Sequence, residues 1–299
     1  MSRRRPGWAG GAGQAQRTAP KTPVKLVGMA EPVPLVDTEV AHVARVYDYL
    51  LGGTTNFAVD REAAERVTAA QGGIGPSRAR IRANRRFLGR VVRHLAGEVG
   101  IRQFLDVGTG IPNDDHVHGI AQQTAPDARV VYVDNDPIVL AHAHALLQGT
   151  PEGATTYLDA DVHDPESILT RAAETLDLTR PVAVMLISML HLFADDEDPA
   201  GIVARLMDGV PSGSYLAISH LTSESDQIAT VASAIKDSPR MGYRLNPRSQ
   251  AEISRFLEGL EPVDPGVVRV NRWHPDEAEL AESPDSGDFP FYGALARKP

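Results

Sequence analysis

Hydrophobic positions follow two rhythms along this chain. Ahead of Arg102 they recur at helical spacing; beyond it, short apolar runs alternate with amphipathic stretches. In 38–51, Val40, Val43, Val46, Tyr47, Leu50 and Leu51 share one helical stripe, which Gly52-Gly53 stops. A second helical pattern runs from about Val59 to Ala70, and Gly72 to Pro76 breaks it. Ser77 is a candidate cap for a third helix to about Gly97, where Leu88, Val91, Val92 and Leu95 form the apolar stripe. That helix also carries seven arginines between Arg78 and Arg93, read as a solvated surface, with Arg85 and Arg86 as candidates to meet an anion.

Past Arg102, strands are predicted at 104–107, 130–133, 155–158, 182–187 and 215–219, with later ones at 267–270 and 291–296. Helices fall between the first five, after about Asn113 or Asp114, at 137–147, 165–176 and from Pro199 to about Asp208. Alternation of this kind builds an α/β fold, a mostly parallel seven-stranded sheet covered by helices on both faces. The stretch 222–240 reads as polar, 248–260 as an amphipathic helix and 276–288 as an acidic surface loop. The expected division is a basic, mostly disordered tail over 1–33, an N-terminal helical lid over 34–76, and one α/β domain over 77–299.

Composition narrows the function classes. The 299 residues carry a net charge of −9, which argues against a nucleic-acid partner. With no cysteine, disulfides, thiolate metal sites and cysteine nucleophiles are excluded together, which accords with a cytoplasmic location. No apolar run reaches the length of a membrane span, and no signal-peptide core follows Arg3-Arg4-Arg5. Oligomeric state is not written in the sequence.

The chemistry centres on Phe104-Leu105-Asp106-Val107-Gly108-Thr109-Gly110, a buried strand ending in an acid and a glycine-rich turn. A second apolar run closes on Asp134, at the spacing at which an acid after the next strand meets ribose hydroxyls. A dinucleotide site wants a third glycine, but Asn113 stands there after Pro112, which argues against NAD or FAD. Asp106 beside the turn would repel a pyrophosphate and attract an ammonium. Adenosine joined to an amino-acid tail is S-adenosylmethionine, the cofactor these residues suggest.

Residues 104–110, Asp134 and Asp159-Ala160-Asp161-Val162 resemble the successive binding motifs of class I S-adenosylmethionine-dependent methyltransferases, over roughly 80–296. Arg45 to Gly53, Asn56-Phe57, Asp60-Arg61-Glu62 and Val131 to Pro137 add a narrower likeness. They are similar to a bacterial family of S-adenosyl methyltransferases whose name specifies no acceptor. The resemblance implies a Rossmann-like fold and a cofactor site of Asp106, Gly108, Thr109, Gly110, Asp134, Asn135, Asp161, Val162 and Ser188. Asp161 would take the adenine amino group, with the backbone of Val162 at the ring. Turn chemistry at strand ends is the competing explanation for Asp134 and Asp161, and Asp136 and Asp159 are their alternates.

On the acceptor side, His191 in Ser188-Met189-Leu190-His191 follows the fourth main strand, where open α/β sheets bind ligands. It is the candidate general base for a hydroxyl acceptor, against a packing role; His220 is a weaker candidate. His116 and His118 would not share a helical face, so no metal site is predicted. Tyr47, Tyr49, Asn56 and Phe57 are expected to face the cofactor from the lid. The resulting expectation is methyl transfer to a small molecule, with oxygen among the acceptor atoms. The alternatives are a regulatory protein that binds the cofactor without catalysis and, more remotely, a nicotinamide oxidoreductase.

Overall fold

The computed structural model describes residues 25–27, 37–69, 71–112, 116–139, 149–236, 241–282 and 289–299. Parallel strands β2 (Gln103–Val107), β3 (Arg129–Asp134), β4 (Ala154–Asp159), β5 (Ala183–Ile187) and β6 (Tyr215–Leu221) form the body of the sheet. Antiparallel β9 (Phe291–Arg297) pairs with β6. Short strands β1 (Lys25–Val27), β7 (Glu261–Pro262) and β8 (Val268–Arg269) complete nine in the order β1-β4-β3-β2-β5-β6-β9-β7, with β8 also on β9. The sheet is therefore mostly parallel, as expected, but two strands larger. Lys25–Val27 pairs with β4 from within the stretch read as a tail; the rest of 1–33 lies outside the described residues.

Side chains alternate across β2 to β6 and β9, whose two faces are both buried, so each of these strands feeds two cores. Phe104, Val130, Tyr132, Met185 and Ala217 face one layer, which holds α3 (Ile74–Arg93) and α4 (Val117–Thr124). Leu105, Val131, Val184, Leu186 and Ile218 face the other, against α5 (Pro165–Ala172), α6 (Pro199–Asp208) and α8 (Gln250–Arg255). Helices α1 (Val43–Leu51) and α2 (Ala58–Ala69) form a smaller cluster through Val46, Leu50, Ala63 and Ala64.

Several expectations shift. Helix α3 starts at Ile74, so Ser77 lies inside it and its hydroxyl donates back to the Gly73 carbonyl. The lid boundary expected at 76 thus falls within that helix. Of its seven arginines only Arg82 and Arg93 are exposed. Arg90 is buried, donating to the carbonyls of Val270 and Trp273 and pairing with Glu279. That partner sits on α9 (Glu277–Glu282), within the stretch expected to be loop. The segment read as polar contains α7 (Asp226–Lys236), which buries Ile228, Val231 and Ile235. The start expected for α4 at 113 or 114 lies outside the described residues, and the helix is seen from Val117. For 137–147, helical backbone is described at 137–139. Among the described residues no helix is long and apolar enough to cross a membrane.

Candidate active site

The carboxyl ends of β2, β3, β4 and β5 open into one cleft of about 260 Å³, roofed by α1. At its floor β2 leaves the sheet through Gly108 and Gly110, both with positive φ (75° and 67°). A Cβ on Gly108 would collide with the side chain of Met189, whereas one on Gly110 would meet nothing within 4 Å. The first glycine is required by packing; the second leaves bare backbone facing open space.

Asp134 closes β3 at the cleft wall. Its Oδ2 accepts the Gly110 N–H at 2.7 Å and its Oδ1 accepts the Asp136 N–H at 3.0 Å. Burial pushes its carboxyl up, against those two hydrogen bonds. Asp136, one of the alternates, points elsewhere: it pairs with His42 Nδ1 at 2.8 Å, ahead of α1. Burial would raise Asp136, but His42 and the Ile138 N–H outweigh it and hold it below the usual carboxylate range. The His42–Asp136 pair fastens α1 to the end of β3. Sequence reasoning placed His42 inside a helix and missed it; its position just ahead of the apolar stripe was the available signal.

Asp161 and Val162 follow β4 on the opposite wall. Asp161 is exposed, and its Oδ1 accepts the His163 N–H at 3.0 Å, so turn chemistry operates here as well as at Asp134. Asp159, the other alternate, is exposed and does not line the cleft. Thr109, Asn135 and Ser188 also line the walls, as does Arg85, one of the two arginines named as candidates to meet an anion, and the structure adds Met189 and Phe193. Ser188 holds φ 56°, a left-handed conformation rare for serine, at the point where the chain leaves β5.

Asp106 belongs to the expected set but does not line the cleft. Alternation along β2 turns it to the same face as Phe104, between the sheet and α3, where it is buried. Burial pushes its carboxyl up to about 6, while the nearby Arg85 guanidinium opposes the shift. That position places an acid and a guanidinium together beneath the glycine turn.

Of the four residues expected from the lid, Tyr47 alone reaches the cleft. Buried Asn84 donates to the Tyr47 hydroxyl (3.2 Å) and to Ser188 Oγ (2.7 Å), linking α1, α3 and the end of β5. Burial raises the Tyr47 hydroxyl, which therefore stays protonated. Tyr49 turns one helical step away and packs against the α1–α2 cluster. Asn56 donates to Asp48 Oδ2 at 2.8 Å, bracing a cleft residue from behind. Phe57 is exposed, under the Arg45 guanidinium at 5.1 Å.

His191 also lies outside this cleft. It lines a second cavity, of about 110 Å³, which shares Val43, Tyr47 and Ser188 with the first. Burial holds its pKa well below the usual value, so the ring is neutral. Its Nδ1 accepts the Leu221 N–H at a long 3.4 Å, which puts the ring proton on Nε2. His220 sits inside β6 with both nitrogens engaged, Nδ1–H donating to the Leu221 carbonyl and Nε2 accepting from Arg248. His116 and His118 stack at 5.3 Å, because His116 precedes α4 rather than lying on it. Among the described residues no cluster of three or more metal-ligating side chains is present.

A family model described as S-adenosyl methyltransferase matches residues 29–299. The chain is similar to the crystal structure of a DUF574 family protein from Streptomyces avermitilis, with 48% identity and a TM-score of 0.83 over 88% of this chain and 99% of that one. A candidate methyltransferase from Thermobifida fusca is 38% identical, with a TM-score of 0.78 over 88% of this chain and 96% of that one. No curated protein matches. An α/β sheet opened by a glycine turn, acids after two successive strands and a family match over residues 29–299 lead to one statement: this chain belongs to the S-adenosyl methyltransferase family.

Proposed function

We propose that the protein transfers a methyl group from S-adenosylmethionine to a small-molecule acceptor, at oxygen. The observation that carries the reading is the cleft itself, where the Asp134 carboxylate is held by Gly110 beside backbone that no Cβ obstructs. When bound, the cofactor would supply an electrophilic methyl group on a sulfonium; an acceptor oxygen would take it as the C–S electron pair returns to sulfur, and the hydroxyl proton would leave to solvent water.

The residues present fit that group. Asp134 has lone pairs left for ribose hydroxyls, each such bond worth roughly 1.5–3 kcal/mol. Asn135 stands beside it, and Gly108, Thr109 and Gly110 offer unobstructed backbone. In this reading Asp161 and the backbone of Val162, which line the cleft, meet the adenine edge and ring. Arg85 is the arginine among the lining residues, suited to the carboxylate of the amino-acid tail. Asp106 acts through its field rather than by contact, favouring an ammonium above the turn.

In this reading the helices over 34–76 form a lid on the domain that follows, and the His42–Asp136 pair is its latch. The protonated Nε2 of His191 orients an acceptor oxygen instead of removing its proton, so His191 is a positioning residue and not the base first expected. The enzyme works in the cytoplasm on this account.

Cofactor consumption with small neutral alcohols and phenols, read as S-adenosylhomocysteine, tests the proposal. Tight binding with no turnover across such a panel supports the regulatory alternative instead.

A further inference from the structure

The cavity behind Tyr47 and Ser188 has a chemistry unlike that of the cofactor cleft. Its apolar walls include Val46 of α1, Val67 of α2, Ile81 of α3, Val231 of α7, Leu245 and, at the start of β9, Phe291. Three of its peripheral polar groups are already engaged. The Thr68 hydroxyl donates to the Ala64 carbonyl, Ser77 to the Gly73 carbonyl and Arg80 to the Gln71 carbonyl. No carboxylate lines it among the described residues.

The polar groups of interest are gathered at the end nearest the cleft. There Tyr47 and Ser188, joined through Asn84, belong to both spaces, and His191 adds a neutral ring. A cavity of this kind is poor for a cation, which would be desolvated with no counter-charge. It suits a molecule with an apolar body and a single hydrogen-bonding end.

We infer that this cavity is the acceptor site, and that the acceptor is an uncharged small molecule whose apolar part is about one ring in size and whose hydroxyl points toward Tyr47, Ser188 and His191. The inference rests on the methyl-transfer reading of the adjoining cleft. Size sets the limit: benzene fills an apolar cavity of about 150 Å³, and this one measures about 110 Å³. A single ring or a branched chain of similar bulk is therefore the upper limit, and a fused polycycle is excluded.

Phenol is the probe, with benzylamine, positively charged at neutral pH, as its cationic counterpart. Cofactor binding is first measured alone by calorimetry; its failure overturns the function proposed for the cleft. Ligand-observed NMR then follows phenol on the protein saturated with S-adenosylmethionine. The expected result is millimolar phenol binding together with the cofactor, a nuclear Overhauser effect between the phenol ring and the S-methyl group, and no binding of benzylamine. Val231→Phe fills the cavity and abolishes the phenol signal while cofactor affinity is unchanged. Leu245→Phe, at a half-buried wall position, does the same should Val231→Phe fail to fold. Phenol that does not bind, is displaced by the cofactor, or binds both filled variants as well as wild type overturns the inference, as does benzylamine binding equal to phenol.

Discussion

The Asp134 carboxylate accepts the backbone N–H of Gly110 at 2.7 Å, tying the end of β3 to the turn that leaves β2. The two residues that sequence spacing singles out are thus a single mechanical unit. The acid fixes the turn, and the turn orients the acid. Asp134 also accepts the Asp136 N–H, and Asp136 holds His42, so the same unit extends to the roof of the cleft.

Gly108 is the position in this unit least able to change. Gly108→Ala forces a side chain into the left-handed region and against Met189. Strain of that kind costs about 1–3 kcal/mol. Denaturant unfolding will show that loss, and cofactor affinity will fall with it. An alanine variant as stable as wild type contradicts the packing described.

Asp106 makes a pH prediction. Its carboxyl is raised from an ordinary 3.8 to about 6 in the folded protein. Its contribution to stability is therefore fully present below the ordinary value and is lost as pH rises through about 6. A shift of this size corresponds to about 3 kcal/mol. Asp106→Asn removes the titration, so the variant gains on wild type between about pH 4 and pH 7. Parallel stability curves for the two proteins over that window contradict the burial assigned to Asp106.

Asp60 ties α1 to α2. Fully buried on α2, it takes the Arg45 Nε–H at 3.1 Å and the backbone N–H groups of His42 (2.9 Å) and Phe57 (2.8 Å). Asp60→Ala strands the Arg45 guanidinium in the interior, a loss of about 3–5 kcal/mol. Hydrogen exchange will show amides of α1 and α2 losing protection while those of β2 to β6 keep theirs. Uniform protection in the variant contradicts the separate anchoring of α1 and α2 by Asp60.

Tyr47 is predicted to matter through its ring more than its hydroxyl. Tyr47→Phe forfeits one hydrogen bond, about 0.5–1.5 kcal/mol. Tyr47→Ala opens the wall between the two cavities, and calorimetry will show the larger loss of cofactor affinity. Equal affinity in Tyr47→Ala and wild type contradicts the placement of Tyr47 over the cleft.

The strands were legible because a two-faced parallel sheet demands continuous apolar runs, and 182–187 is such a run. The pairing of Gly110 with Asp134 was legible because βαβ connectivity fixes the spacing between them. Helix α7 was not, since Thr, Ser and Ala dilute the stripe of Ile228, Val231 and Ile235. The orientation of Asp106 was available from its alternation with Phe104 but was outweighed by its place beside the glycines. His42 and His191 were illegible in a stronger sense. What they do depends on Asp136, Leu221 and Tyr47, neighbours that only the folded chain supplies.

The central claim is that the cleft between Gly110 and Asp134 holds S-adenosylmethionine. Calorimetric titration of wild type and Asp134→Ala with that cofactor tests it most directly. The account predicts saturable binding by wild type, and affinity weaker by about 10- to 100-fold in Asp134→Ala, as loss of a charged acceptor of hydroxyl groups requires. No binding by wild type, or the same affinity in both proteins, would contradict it.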